Sequence, residues 1–186
     1  MPFTKKDLPI NVDAIKGFLA DDEGEALFAA ASESITLGPC LEVGSYCGKS
    51  TVYLGAACQQ KNGIVYAIDH HRGSEEHQLG EEYHDSDLFD AQAQLMDTFK
   101  EFRRVMREAK LEDTVIPIVA ASKLASTNWS TPLGMVFIDG GHSLDAAMAD
   151  YRAWATHVSV GGILAIHDIF PDPRQGGQAR ARIAET

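Results

Sequence analysis

Apolar and polar residues change period repeatedly along this chain of 186 residues. Short apolar, often β-branched runs at 37–43, 64–68, 114–119, 135–138 and 163–166 read as strands. Between them, apolar residues recur at helical spacing. The segments 11–18, 23–35, 49–60 and 88–109 therefore read as helices, and 122–129 as a short helix or loop. A further helix, N-capped by Ser143, would bury Leu144, Ala147, Met148, Tyr151 and Trp154. Asn62-Gly63 and Gly161-Gly162 mark turns, and Pro117 marks an edge strand or a bulge. Strands alternating with helices predict an α/β fold, a Rossmann-like doubly wound parallel sheet. A single domain over 1–186 is expected, with N-terminal helices in 1–36, the core in 37–170 and a tail in 171–186.

Composition narrows the partners. Sixteen basic residues against 27 acidic ones give a formal charge of −11, a surface that repels nucleic-acid phosphates, so no nucleic acid is expected as a partner. Arg103, Arg104, Arg107 and Lys110 form the main basic cluster and read as a solvated helix face. Three cysteines, Cys40, Cys47 and Cys58, are an odd number without CxxC spacing and suit a reducing compartment. Residues 1–18 lack the uninterrupted apolar core of a signal peptide, and no run approaches a membrane span. A soluble, cytoplasmic protein without a membrane partner is the expectation.

The stretch Leu-Glu-Val-Gly-Ser-Tyr-Cys-Gly-Lys-Ser-Thr, residues 41–51, joins the first strand to a helix through a glycine turn. Only three residues separate Gly44 from Gly48-Lys49-Ser50, one short of a Walker A phosphate cradle. Tyr46 and the missing third glycine exclude the dinucleotide fingerprint. What remains is Glu-x-Gly-x-x-x-Gly. Asp69 follows Gly44 by 25 residues, the spacing expected of an acid that accepts two ribose hydroxyls. A ribose acid beside a loop unsuited to phosphates favours a nucleoside without phosphates, and the cationic groups of S-adenosylmethionine also suit an acidic rim. Strand ends carry polar or small residues throughout: Glu42 and Gly44, Asp69, Ala121 and Ser122, Asp139 and His142, His167 and Asp168.

Together with Val-Tyr-Ala-Ile-Asp, Val-Phe-Ile-Asp-Gly-Gly-His-Ser and Gly-Gly-Ile-Leu-Ala-Ile-His-Asp, the loop resembles class I S-adenosylmethionine-dependent methyltransferases. Within them it is similar to the small-molecule and sugar O-methyltransferase branch. The resemblance spans 37–173. It implies O-methylation of a small hydroxylated molecule, with Glu42, Gly44 and Gly48 around the methionine portion of the cofactor and Ser45 and Ser50 also binding the cofactor. It further implies Asp69 on the ribose, Ala121 and Ser122 at the adenine, and Asp139 at the reacting centre. Two departures stand out. Tyr46 replaces a glycine, so a wider loop with fewer backbone contacts is expected. About eighteen residues follow Asp168, too few for the family's closing β-hairpin. The expectation is either a truncated form or an open sheet edge covered in a homo-oligomer.

Catalysis would need a base and a held acceptor. His142 is the candidate base, with Asp139 beside it and His167 behind. Related sugar methyltransferases bind a divalent ion with strand-end carboxylates, which makes Asp139 and Asp168 candidate Mg²⁺ ligands. His70, His71, His77 and His84 lie in the acidic stretch 70–87, which reads as a functional or solvated loop. Two other function classes compete: a metal-dependent hydrolase or hydroxylase built on the His/Asp/Glu cluster, and a non-catalytic nucleoside-binding subunit.

Overall fold

The computed structural model describes residues 3–74, 77, 80, 84–141 and 144–167. Five strands form one parallel sheet: β1 (Cys40–Val43), β2 (Val65–Asp69), β5 (Val115–Val119), β6 (Leu133–Ile138) and β7 (Val158–Ile166). Their order is β5-β2-β1-β6-β7. The chain starts in the middle at β1, runs outward through β2 to β5, then returns to β6 and β7. Strand order thus reverses between β1 and β6, and such a reversal opens a crevice at the carboxyl ends of the strands. This is the Rossmann-like, doubly wound sheet that the alternation predicts.

Helices cover both faces. On one, Cys40, Val65, Ala67, Met135 and Phe137 pack beneath α1 (Asp21–Ser34), α2 (Lys49–Gln60) and α3 (Phe99–Glu108). On the other, Leu41, Val43, Ile68, Val136 and Ile138 pack against Trp154, from α5 (Leu144–Trp154), with Ala125 of α4 (Ser122–Ala125) alongside. Burial on both faces explains why β1 reads as an unbroken apolar run around one acid: all four of its residues are buried. Side chains alternate across a strand, so Glu42, Asp69, Asp139 and His167 continue the rows of Cys40, Ala67, Phe137 and Ala165. All four therefore emerge on the face covered by α1, α2 and α3.

α2 begins at Gly48, whose φ of 92° is left-handed, and ends in a Schellman turn. There Gly63 N–H donates to Cys58 O (2.8 Å) and Asn62 N–H to Gln59 O (3.2 Å), with Asn62 at φ 55°. α1 lies on α2 through Gly24, where an added Cβ would come within 2.4 Å of the Tyr53 ring.

Four expectations need correction. The helix over 11–18 is only a 3₁₀ turn, Val12–Ala14; the chain then extends past Gly17 (φ 151°) so that Val12, Ile15 and Leu19 all reach the core. The helix over 88–109 starts at Phe99. Its first half is a hairpin of β3 (Phe89–Asp90) and β4 (Leu95–Met96), with Asp90 Oδ1 accepting from Gln92 N–H (2.8 Å) and Ala93 N–H (3.1 Å). That local turn competes with helix while Leu88 and Met96 still reach the core. Gly161-Gly162 does not turn the chain but lies within β7, opposite a register shift between Leu133 and Met135. Finally, the loop histidines His71 and His77 are buried rather than solvated. Pro117 sits on the edge strand β5, as its missing N–H requires. Ser143 and 171–186 lie outside the described residues. Among the described residues no helix is long and apolar enough to cross a membrane.

Candidate active site

The glycine loop closes over the reversal point. Gly44 has φ 88°, and a Cβ there would stand 2.2 Å from the Asp139 carbonyl oxygen, so only glycine lets the two strand ends meet. Asp139 N–H donates to Val43 O (2.8 Å), and Gly44 N–H to Ile68 O (2.9 Å). The ends of β1, β2 and β6 are thereby stitched together. Gly48 packs against Phe102 and Met106 of α3.

Glu42 is wholly buried beneath the loop. Its two oxygens accept from Ser50 Oγ (2.6 Å) and Thr51 Oγ1 (2.5 Å) in the first turn of α2. Burial pushes its pKa up to about 7, against the hydrogen bonds that favour the carboxylate. Ser45 and Ser50 are buried with it. Glu42 thus tethers the helix start and holds the loop from below.

Tyr46, at the third residue of the loop, takes φ 45° and does conformationally what a glycine would. The wider loop expected from this residue does not follow. Its N–H donates to Asp69 Oδ2 (2.8 Å), so the loop keeps its contact with the end of β2. Asp69 Oδ1 accepts from His71 N–H (2.7 Å), and His71 is also left-handed, at φ 57°. The Tyr46 ring lies 5.1 Å from His77 and 6.3 Å from the exposed ring of Phe18, between centroids. The N-terminal segment thus crosses over the loop, and Lys16 bonds Asp85 (2.6 Å) and Asp87 (2.9 Å) beyond it.

On the other side of the crevice, His167 Nδ1 stands 3.0 Å from Asp139 Oδ1, and His167 Nε2 stands 3.2 Å from Glu23 Oε2 of α1. Glu23 also accepts from Ala20 N–H (2.9 Å), which ties it to the start of its own helix. Ser122 faces the opposite layer, where its Oγ accepts from Trp154 Nε1 (2.8 Å); Ala121 beside it is exposed. His142 and Asp168 lie outside the described residues. Asp139, Gly44 and Asp69 are therefore brought to one rim, with Glu42 beneath them and Ser122 turned toward Trp154.

The spacing rules identified the acids and missed what holds them: Tyr46, His71 and Glu23. Tyr46 in a glycine's place was the one visible signal among these. Cys47, within the loop, offers no nucleophile, since burial pushes its thiol up to about 12. Among the described residues no group of three or more His, Cys, Asp or Glu is assembled to hold a metal ion.

Residues 41–169 match the family described as a methyltransferase domain. Solved structures share the fold at low identity. The O-methyltransferase NovP superposes with a TM-score of 0.68 at 17% identity, covering 89% of this chain and 70% of that one. The O-methyltransferase TomG from Streptomyces achromogenes, in complex with S-adenosylmethionine, gives 0.60 at 17%, covering 90% and 68%. An O-methyltransferase from Bacillus cereus in complex with S-adenosylhomocysteine gives 0.60 at 18%, covering 94% and 71%.

Proposed function

The chain belongs to the methyltransferase-domain family, and from that premise we propose that it moves the methyl group of S-adenosylmethionine to a hydroxyl oxygen of a small molecule. The observation that carries the reading is the Asp69 carboxylate. Two backbone N–H groups hold it, one from the glycine loop and one from the turn after β2. A carboxylate has two acceptor sites on each oxygen, so one on each stays available for a vicinal diol. The acids of the rim suit a cationic nucleoside and repel a triphosphate. These features fit the cofactor, as do the S-adenosylmethionine and S-adenosylhomocysteine complexes of TomG and the Bacillus cereus enzyme.

In this reading Gly44, Ser45 and Gly48 shape the floor under the methionine portion, and Glu42 and Ser50 keep that floor in place. Asp69 takes the ribose, and Ala121 and the Ser122 backbone flank the adenine, the Ser122 hydroxyl being held by Trp154. When bound, the cofactor supplies an electrophilic methyl carbon on a sulfonium. The chain's part is to hold the acceptor oxygen in line with that carbon and take its proton, with His142 as base and Asp139 as the acceptor's hydrogen-bond partner. Asp139 and Asp168 would be the ligands of a Mg²⁺ ion. Asp139 Oδ1 already faces His167 Nδ1 at 3.0 Å. The reading includes a small-molecule acceptor, self-association through β7, which pairs with β6 alone among the described residues, and a cytoplasmic setting, which suits three buried, unbridged thiols.

Calorimetric titration with S-adenosylhomocysteine tests it. Saturable binding is expected, with ATP binding poorly. Micromolar affinity for ATP, with none for S-adenosylhomocysteine, would replace this reading with a nucleotide-dependent one.

A further inference from the structure

Two non-glycine residues in left-handed conformation, Tyr46 (φ 45°) and His71 (φ 57°), both aim their N–H groups at Asp69, one at each oxygen. Left-handed backbone is costly for residues with a Cβ and persists only where the surroundings enforce it. For His71 the surroundings are explicit. Its carbonyl accepts from Thr98 N–H (3.2 Å), and its ring Nδ1 pairs with Thr98 Oγ1 (2.7 Å). The ring lies 4.9 Å from Phe99 and 5.3 Å from Phe102 of α3, between centroids, and is only 2% exposed. One residue on, Arg72 Nη1 donates to Met96 O (3.1 Å). Thr98, itself 1% exposed, is the residue from which α3 starts. The turn after β2 is therefore bolted at two successive residues, His71 to the start of α3 and Arg72 to β4.

We propose that His71 is a positioning residue: anchored by Thr98, it holds the Asp69 carboxylate in the one rotation that accepts both hydroxyls of a ribose diol. The inference rests on the cofactor reading above and adds to it the residue that makes Asp69 selective. A carboxylate clamped at both oxygens binds a diol without first losing rotational freedom, which is preorganisation. Released from one N–H, it turns about its last bond and aligns with at most one hydroxyl. Burial lowers the pKa of the His71 imidazole, so the ring acts as a neutral partner for Thr98 and not as a charge.

The test compares S-adenosylhomocysteine with its 2′-deoxy analogue, titrated calorimetrically into the full chain. Wild type should prefer the diol-bearing ligand by roughly tenfold or more, as expected for a hydrogen bond to a charged group. His71→Val, whose branched side chain resists left-handed backbone, should bring that preference to within about threefold. Thr98→Val, which leaves the turn's sequence intact, should lower it in the same direction. His71→Asn should retain most of it, because Asn tolerates positive φ and its amide, attached at Cγ like the ring Nδ1, can still pair with Thr98 Oγ1. If the valine variants weaken both ligands equally and keep the ratio, His71 serves the fold alone and the inference is overturned. Should His71→Val fail to fold, an unchanged ratio in Thr98→Val is sufficient to overturn it. Absence of binding by wild type to either ligand would instead overturn the cofactor reading, and the clamp with it.

Discussion

Glu42 shows how one residue can serve a site without facing it. Its pKa is raised from 4.5 to about 7 by complete burial, so between those values the folded chain binds a proton that the unfolded chain has released. The stability this group contributes is therefore fully present below pH 4.5 and lost as pH rises through 7. The loss is on the order of 3 kcal/mol at one pKa unit per 1.36 kcal/mol. Glu42→Gln should accordingly gain on wild type in urea unfolding between pH 5 and pH 8.5. An identical difference at both pH values would show that the carboxyl never ionises in place. His71 acts in the opposite sense: burial lowers its pKa below 6.5, so its contribution is fully present above 6.5 and is lost as pH falls through the lowered folded-state value. Asp69 is a separate case, because its oxygens already have N–H partners. Asp69→Ala should weaken S-adenosylhomocysteine by about 1.5–3 kcal/mol, the range for hydrogen bonds to a charged group, and unchanged calorimetric affinity would remove it from the site. Such acids are legible in sequence because a strand end and a spacing locate them. Their partners are not: Glu23 and His167 are 144 residues apart, and nothing local links them.

At the scale of elements, the strands and the helix after the glycine loop were legible because each carries its own period and its own stop signals. The stretch 86–98 was not, since Leu88, Leu95 and Phe99 mimic helical spacing while Asp90 and Asp97 supply turns. The pairing of α1 with α2 was equally hidden, because it depends on an absence of side chain. Gly24 lies flat on Tyr53, and Phe3 stacks on Phe28 at the same junction. Gly24→Val should therefore destabilise the fold by about 1–3 kcal/mol through overpacking. It should also disturb the Glu23–His167 contact one residue away. Urea unfolding measures the first effect, and an unchanged midpoint would mean that α1 lifts freely from α2. Tyr53 offers the converse case. Its hydroxyl is buried without a hydrogen-bond partner among the described residues, so the ring earns its place by packing alone. Tyr53→Phe should keep stability or raise it by up to about 1 kcal/mol. A loss above that would reveal a partner for the hydroxyl.

For the whole molecule, the two edges of the sheet are managed differently. β5 carries Pro117, which has no N–H to offer, and three of its five residues are exposed, so this edge is a poor template for another strand. β7 is longer, at nine residues, contains neither proline nor charge, and pairs with β6 alone among the described residues. Val160 on it is fully exposed, and Gly161, at φ 83°, bends it where its register with β6 shifts. An uncharged strand with one row of backbone donors and acceptors unpaired among the described residues favours pairing with another strand, and a second copy of the chain supplies an identical one. Light scattering should therefore find a dimer or larger. Val160→Lys, a charge placed on that exposed position, should shift the distribution toward monomer. It should leave S-adenosylhomocysteine binding unchanged, because Val160 lies near the start of β7, away from the carboxyl ends where the site gathers. Hydrogen exchange separates the two ways of covering the edge. If wild type is monomeric and the amides of 163–166 exchange slowly, part of the same chain covers β7 and self-association is not its use. Dimers that persist in Val160→Lys would move the interface elsewhere on the molecule.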